Sequence, residues 1–173
     1  MLSIVKLLQS LIQALHSEGT PGQLAAGMAL GAFLGLTPLL SLHNAVIFAL
    51  IVMLNVSFAG AMLGWALFVP IGFLLDPLFD RIGHALLFTS SLTPVWTSLY
   101  NMPVMPLTNF NNTVVLGSFV FTLVAFVPLY LILRWAVARY RATIGERVRQ
   151  SKWYRMVTAS KLYNVYRLFR PEA

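Results

Sequence analysis

Residues Gly19–Leu75 read GTPGQLAAGMALGAFLGLTPLLSLHNAVIFALIVMLNVSFAGAMLGWALFVPIGFLL and contain no Asp, Glu, Lys or Arg. In a chain of 173 residues a soluble core is too small to bury such a run, whereas a bilayer accepts it. Charged residues make up 10% of the chain and hydrophobic ones 58%, against about a quarter charged in soluble domains. The fold class that follows is an all-α membrane protein, with about four hydrophobic helices and amphipathic helices at both ends.

Proline and glycine divide the run. Thr20-Pro21, Thr37-Pro38, Asp76-Pro77 and Thr93-Pro94 each suit a helix start, an N-cap oxygen followed by proline in the first turn. Thr20 and Gln23 also have the spacing of a capping box. Predicted helices cover Gly22–Leu36, Pro38–Leu54 and Ser57–Leu75, with Asn55-Val56-Ser57 as a turn and Ser57 as a cap. The first two are short. About fifteen residues at ~1.5 Å each span roughly 22 Å, less than a hydrocarbon core of about 30 Å. This Gly-rich pair therefore either re-enters as a hairpin or spans a locally thinned bilayer.

Three units result: 1–18, 19–135 and 136–173. The first holds an amphipathic helix, Leu2–Leu15, with Ser3, Lys6, Ser10, Gln13 and Ser17 on one face. Its interleaved polar face and lack of a small-residue cleavage site argue against a signal peptide. Within the membrane unit, Asp76–Leu87 is amphipathic and is followed by a polar connection carrying Trp96, Tyr100 and Asn109. Thr113–Leu133 is the clearest full span, bounded by Arg134 and Trp135, with a kink predicted at Pro128.

The net charge of +7 sits unevenly. Arg134, Arg139, Arg141, Arg147, Arg149, Lys152, Arg155, Lys161, Arg167 and Arg170 all lie in the last forty residues, opposed only by Glu146 and Glu172. Beside a hydrophobic span, this block reads as a positive-inside signal and an anionic-lipid contact rather than a nucleic-acid site. It puts both termini in the cytoplasm of a bacterial inner membrane, with Asp76–Asn112 outside.

Three polar or small-residue patterns are candidate sites. Gly27, Gly31 and Gly35, and separately Gly60 and Gly64, repeat at small-xxx-small spacing, which lets helix backbones approach closely in lipid, within the chain or between subunits. Thr37, Pro38, Ser41, His43 and Asn44 place polar and helix-breaking groups inside an apolar stretch. They form either a pocket for an anionic headgroup at the start of the second helix or ordinary caps and interhelical hydrogen bonds. Asp76, Asp80 and His84 share one helix face, but two carboxylates and one imidazole make a weak metal signature. No cofactor or metal is expected. The absence of cysteine removes disulfides, thiolate ligands and cysteine nucleophiles, and no catalytic constellation is present.

The stretch from Thr20 to Asn44 resembles an uncharacterised bacterial inner-membrane family, domain of unknown function 2062, in its order of proline, Gly-rich helix and proline. Gly64-Trp65-Ala66-Leu67-Phe68, Asp76-Pro77-Leu78-Phe79, Leu99-Tyr100-Asn101, Phe110-Asn111-Asn112-Thr113 and Ala159-Ser160-Lys161 extend the resemblance along nearly the whole chain. It implies a membrane-embedded helical domain and carries over no catalytic residue. Two function classes stay open. One is a protein handling an anionic lipid or amphiphile at the hairpin, with membrane lipids as partners. The other is a non-catalytic subunit whose glycine faces dock on a membrane protein partner or a second copy.

Overall fold

The computed structural model describes residues 19–145. The amphipathic segment expected before Gly19 and the tail beyond Gly145, with Arg147 and Arg149, lie outside the described residues. Among the described residues there are five α-helices and no strand: α1 (Pro21–Leu36), α2 (Leu42–Met53), α3 (Phe58–Leu87), α4 (Thr93–Tyr100) and α5 (Thr113–Tyr140). Short 3-10 turns precede and follow α4, and a π turn, Arg141–Gly145, ends α5.

The start of α1 follows from its cap. Thr20 is extended, its Oγ1 accepts from the Gln23 N–H at 3.2 Å, and Gln23 Oε1 accepts from the Thr20 N–H at 2.9 Å. Two free helix donors are thereby satisfied, and Pro21 fills a position that needs no donor. Ser57 does the same for α3, accepting from the Gly60 N–H at 3.1 Å. Asn112 caps α5 through the N–H groups of Val114 and Val115.

Two of the expected Pro starts are corrected. Thr37-Pro38 ends α1 rather than opening α2. The Thr37 N–H and Oγ1 both donate back to Phe33 O, at 3.3 and 2.8 Å, and a residue before proline is pushed out of helical geometry. The second helix consequently begins at Leu42, not Pro38. Asp76-Pro77 starts nothing: α3 continues through Pro70 and Pro77 as one helix of 30 residues. The two prolines stand seven residues apart and both are exposed. Their missing hydrogen bonds fall on the outer face, leaving Gly60, Ala61, Leu63, Gly64, Gly72, Phe79 and Gly83 packed inside.

Two helical stretches, Phe58–Leu87 and Thr113–Thr143, are long and apolar enough to cross a membrane, whereas α1 and α2 are shorter apolar helices. The long pair is antiparallel: Gly83 meets Thr113 and Gly117 meets Phe79 at one end. At the other end Val137 joins Leu24, Met28 and Leu63 in a buried cluster. Val137, which falls in the unit 136–173 expected from sequence, is thus a core residue. Into this frame fits α1, running from Ser57, whose N–H donates to Gln23 O at 3.1 Å, as far as Gly72, which faces Gly35. The chain then turns over residues 37–41 and α2 returns. The hairpin accompanies only about half of the roughly 45 Å length of α3.

Candidate functional site

The turn between α1 and α2 brings the five predicted pocket residues into one hydrogen-bonded cluster. Thr37 Oγ1 lies 2.8 Å from Phe33 O and 2.7 Å from Asn44 Oδ1, so a single proton serves two acceptors. The Asn44 amide donates to Pro38 O at 2.9 Å. Ser41 Oγ donates to the same carbonyl at 3.0 Å and sits 2.9 Å from His43 Nε2. With the Ser41 proton so used, His43 contributes an Nε2–H donor to Ser41. Thr37 and Asn44 are buried; Ser41 and His43 are part-buried. Phe119 of α5 clamps the turn, its ring 5.9 Å from Phe33 and 5.2 Å from His43.

These bonds close the turn on itself but leave the start of α2 open. Ser41 occupies the cap position without making a side-chain cap bond, and among the described residues the Leu42 and His43 N–H groups have no acceptor. Such a helix end carries a partial positive charge. Beside it lies an open groove of about 540 Å³, lined by Leu34, Leu39, Leu40, Leu42, Phe48 and Leu107 with Ser41, Asn44 and Ala45. Its wall is apolar and its polar atoms sit at the turn. Leu107 comes from the 3-10 turn Met105–Thr108 between α4 and α5, a contribution sequence reasoning did not foresee.

The glycines line a different surface. A Cβ on Gly27, Gly31 or Gly64 would overlap the carbonyl of Ser57, Ala61 or Met28. On Gly60 it would lie 2.7 Å from Leu24 O, and on Gly35 2.9 Å from Trp65 O. All five therefore face the seam between α1 and α3 of the same chain. Gly72, Gly83 and Gly117 belong to the same class of close approach and went unnoticed in the sequence. The signal was available at Gly117, four residues after Thr113 in a helix with no turn to explain a glycine. Ser118 and Thr122 of α5 are fully buried; Ser118 donates to Val115 O at 3.1 Å, while Thr122 Oγ1 has no partner among the described residues.

The remaining candidates are dispersed. Asp80 accepts from Thr113 Oγ1 on α5, and His84 stacks on Phe88 at 4.3 Å. Among the described residues no group of acidic, His or Cys side chains could hold a metal. Arg134 and Arg139 are exposed on α5. Arg141 instead reaches back to Gly19 O at 2.7 Å, tying the end of α5 to the start of α1.

Residues 6–144 match a family described as an uncharacterized protein conserved in bacteria (DUF2062). An uncharacterized protein of Treponema pallidum (strain Nichols) is 28% identical over 159 residues, covering 92% of this chain and 98% of that one. No solved structure matches.

Proposed function

Since the chain belongs to this uncharacterized bacterial family (DUF2062), from which no activity can be inherited, we propose from its geometry that it binds an amphiphile in the groove beside the hairpin turn. The observation that carries the reading is the pairing of an apolar trough with an uncapped helix start at one end of it. An acyl or similar chain would lie along Leu34, Leu39, Leu40, Leu42 and Phe48. An anionic or strongly polar head would take the free N–H groups of Leu42 and His43. The groove holds no lysine or arginine, so the helix end is what favours negative charge there. In this reading the hairpin is re-entrant. Its turn, level with Gly72 of α3, reaches the middle of the bilayer, and the groove opens sideways to lipid. Arg134, Arg139 and the basic residues further along attract anionic headgroups at the cytoplasmic face of the inner membrane.

Against the alternative, a subunit docking through its glycine faces, stands the close approach of Gly60 and Gly64 to α1 of the same chain. Native mass spectrometry of the detergent-purified protein, with lipid extraction from the same sample, tests the proposal. Ala45 is exposed and lines the groove, so Ala45→Trp fills it without touching the core. The expected result is a retained amphiphile in the wild type that is lost in Ala45→Trp. Identical lipid complements in both, or none selectively retained by the wild type, would sink the reading.

A further inference from the structure

Within the stretch Asp76–Asn112 that the charge pattern puts outside lies the connection from Phe88 to Asn112. It has no charged residue; indeed none occurs from Ile82 to Leu133. Its side chains turn apolar atoms outward: Phe88 is 71% exposed and Val104 57%, with Val95, Tyr100, Met102 and Leu107 also exposed. Outward apolar residues also line the two long helices, among them Phe73, Leu74, Leu123 and Val124. A water-facing loop would gain nothing from such a surface.

The polar groups of the connection give a second, independent indication. Thr89 Oγ1 donates to Ala85 O, Thr97 Oγ1 to Thr93 O at 2.9 Å and Thr108 Oγ1 to Met105 O at 2.7 Å. Asn101 Nδ2 donates to Thr97 O at 2.9 Å, and the Trp96 indole to Leu86 O at 2.9 Å. Water would satisfy these donors for nothing. Returning them to nearby carbonyls is what a low-dielectric surround requires, where an unpaired polar group costs several kcal/mol. Trp96 and Tyr100, both packed around Phe110 at 6.0 and 6.4 Å, are the amphipathic aromatics that favour a membrane–water boundary.

We propose that Phe88–Asn112 lies in the bilayer, along the acyl–headgroup boundary at the end of the bundle where α3 finishes, with Ser90, Ser91 and Asn111 at its wet edge beside the exposed Asp80 and Arg81. The occupant of its outward face is lipid. Sunk to this depth, the Met105–Thr108 turn reaches down to the hairpin turn, which is how Leu107 comes to border the groove. The inference concerns the bilayer itself and stands whether or not the groove holds a ligand.

The chain has no cysteine, so single cysteines can be placed without background. Met102→Cys, Val104→Cys and Asn111→Cys are all exposed positions. Each variant of the full chain is labelled with an environment-sensitive fluorophore and reconstituted into phosphatidylcholine vesicles, with or without bromine on the acyl chains. Acyl bromine is expected to quench the labels at 102 and 104 more than that at 111, by roughly twofold or more, with aqueous iodide giving the reverse order. Iodide quenching at 102 and 104 equal to that at 111, with no added effect of bromolipid, would place the segment in water and overturn the proposal. Val124→Cys on the long helix α5 serves as the lipid-exposed reference, so that a failed reconstitution is recognised by its lack of quenching.

Discussion

Helices α1 and α2 are consecutive, short and almost wholly apolar, yet they occupy opposite environments. Eleven of the sixteen residues of α1 are buried, whereas α2 buries only Asn44 and Ile51 among its twelve. Met53 of α2 is 82% exposed, and Val46, Phe48 and Val52 also face outward. Apolarity does not separate the two; side-chain size does. α1 carries Gly27, Gly31 and Gly35, and its backbone reaches that of α3, while α2 has no glycine and is mostly Val, Ile, Leu, Phe and Met. In lipid there is no hydrophobic gain in hiding a leucine from its surroundings, so the interior goes to the helix that can be approached most closely. In the membrane reading proposed above, the bulky helix is left to the acyl chains.

The most severe way to break that contrast is Gly31→Leu. Its Cβ would collide with the carbonyl of Ala61, and with the Trp65 amide 2.8 Å away, neither of which can rotate aside. Inserting even single methylenes in a packed core costs about 1–3 kcal/mol, and more when backbone must move. Loss of a monodisperse elution peak and of a cooperative melting transition in detergent is expected. Val52→Leu on α2, by contrast, should stay within about 0.5 kcal/mol of the wild type, as exposed substitutions do. Equal tolerance at the two positions would mean that size does not decide which arm of the hairpin is inside.

That rule also explains what the sequence disclosed. The α1 boundaries, the Thr20 cap, the Ser57 cap and the existence of two long apolar stretches all follow from local chemistry, a hydroxyl oxygen near a free N–H or a run without charge. Pro77 misled because a proline signals a helix start only when nothing else holds the preceding residues helical. In α3 the inner face, with Gly72 and Phe79, is held by its neighbours while Pro70 and Pro77 point away. Thr37-Pro38 misled for the opposite reason, since the Thr37 hydroxyl turned back to the helix behind it. The polar turn was visible as residue types, but its closure through Asn44 and Pro38 O was not. Leu107 could not be found at all, because it joins the groove through a contact between segments far apart in the chain.

A milder perturbation separates the turn from the helices. Asn44→Ala removes the donor to Pro38 O and one of the two acceptors for the Thr37 proton. Pro38 O keeps its Ser41 donor and the Thr37 hydroxyl keeps Phe33 O, so the loss is of two hydrogen bonds, about 0.5–1.5 kcal/mol each, and a lowered but still cooperative melting transition is expected. The seam of α1 with α3 remains, because no glycine contact involves Asn44. If the Asn44→Ala protein fails to fold as completely as Gly31→Leu, the turn and the seam form one unit and the contrast between buried arm and exposed arm is not the organising one.

The smallest expected effect lies where the hairpin does not reach. Beyond Gly72 the seam runs between α3 and α5, drawn together at Gly83 and Gly117 and joined by the Thr113 hydroxyl donating to Asp80. Because that hydrogen bond is exposed, Thr113→Val should cost only about 0.5–1.5 kcal/mol despite the charged acceptor. Valine also keeps the shape of threonine, so the close approach at Gly83 stays intact. A double-mutant cycle with Asp80→Asn reads the pair directly, and a coupling within that range is expected. A much larger coupling would show that the polar clasp, rather than glycine contact, holds the half of the bundle that α1 never enters, and the size rule would then apply only where three helices meet.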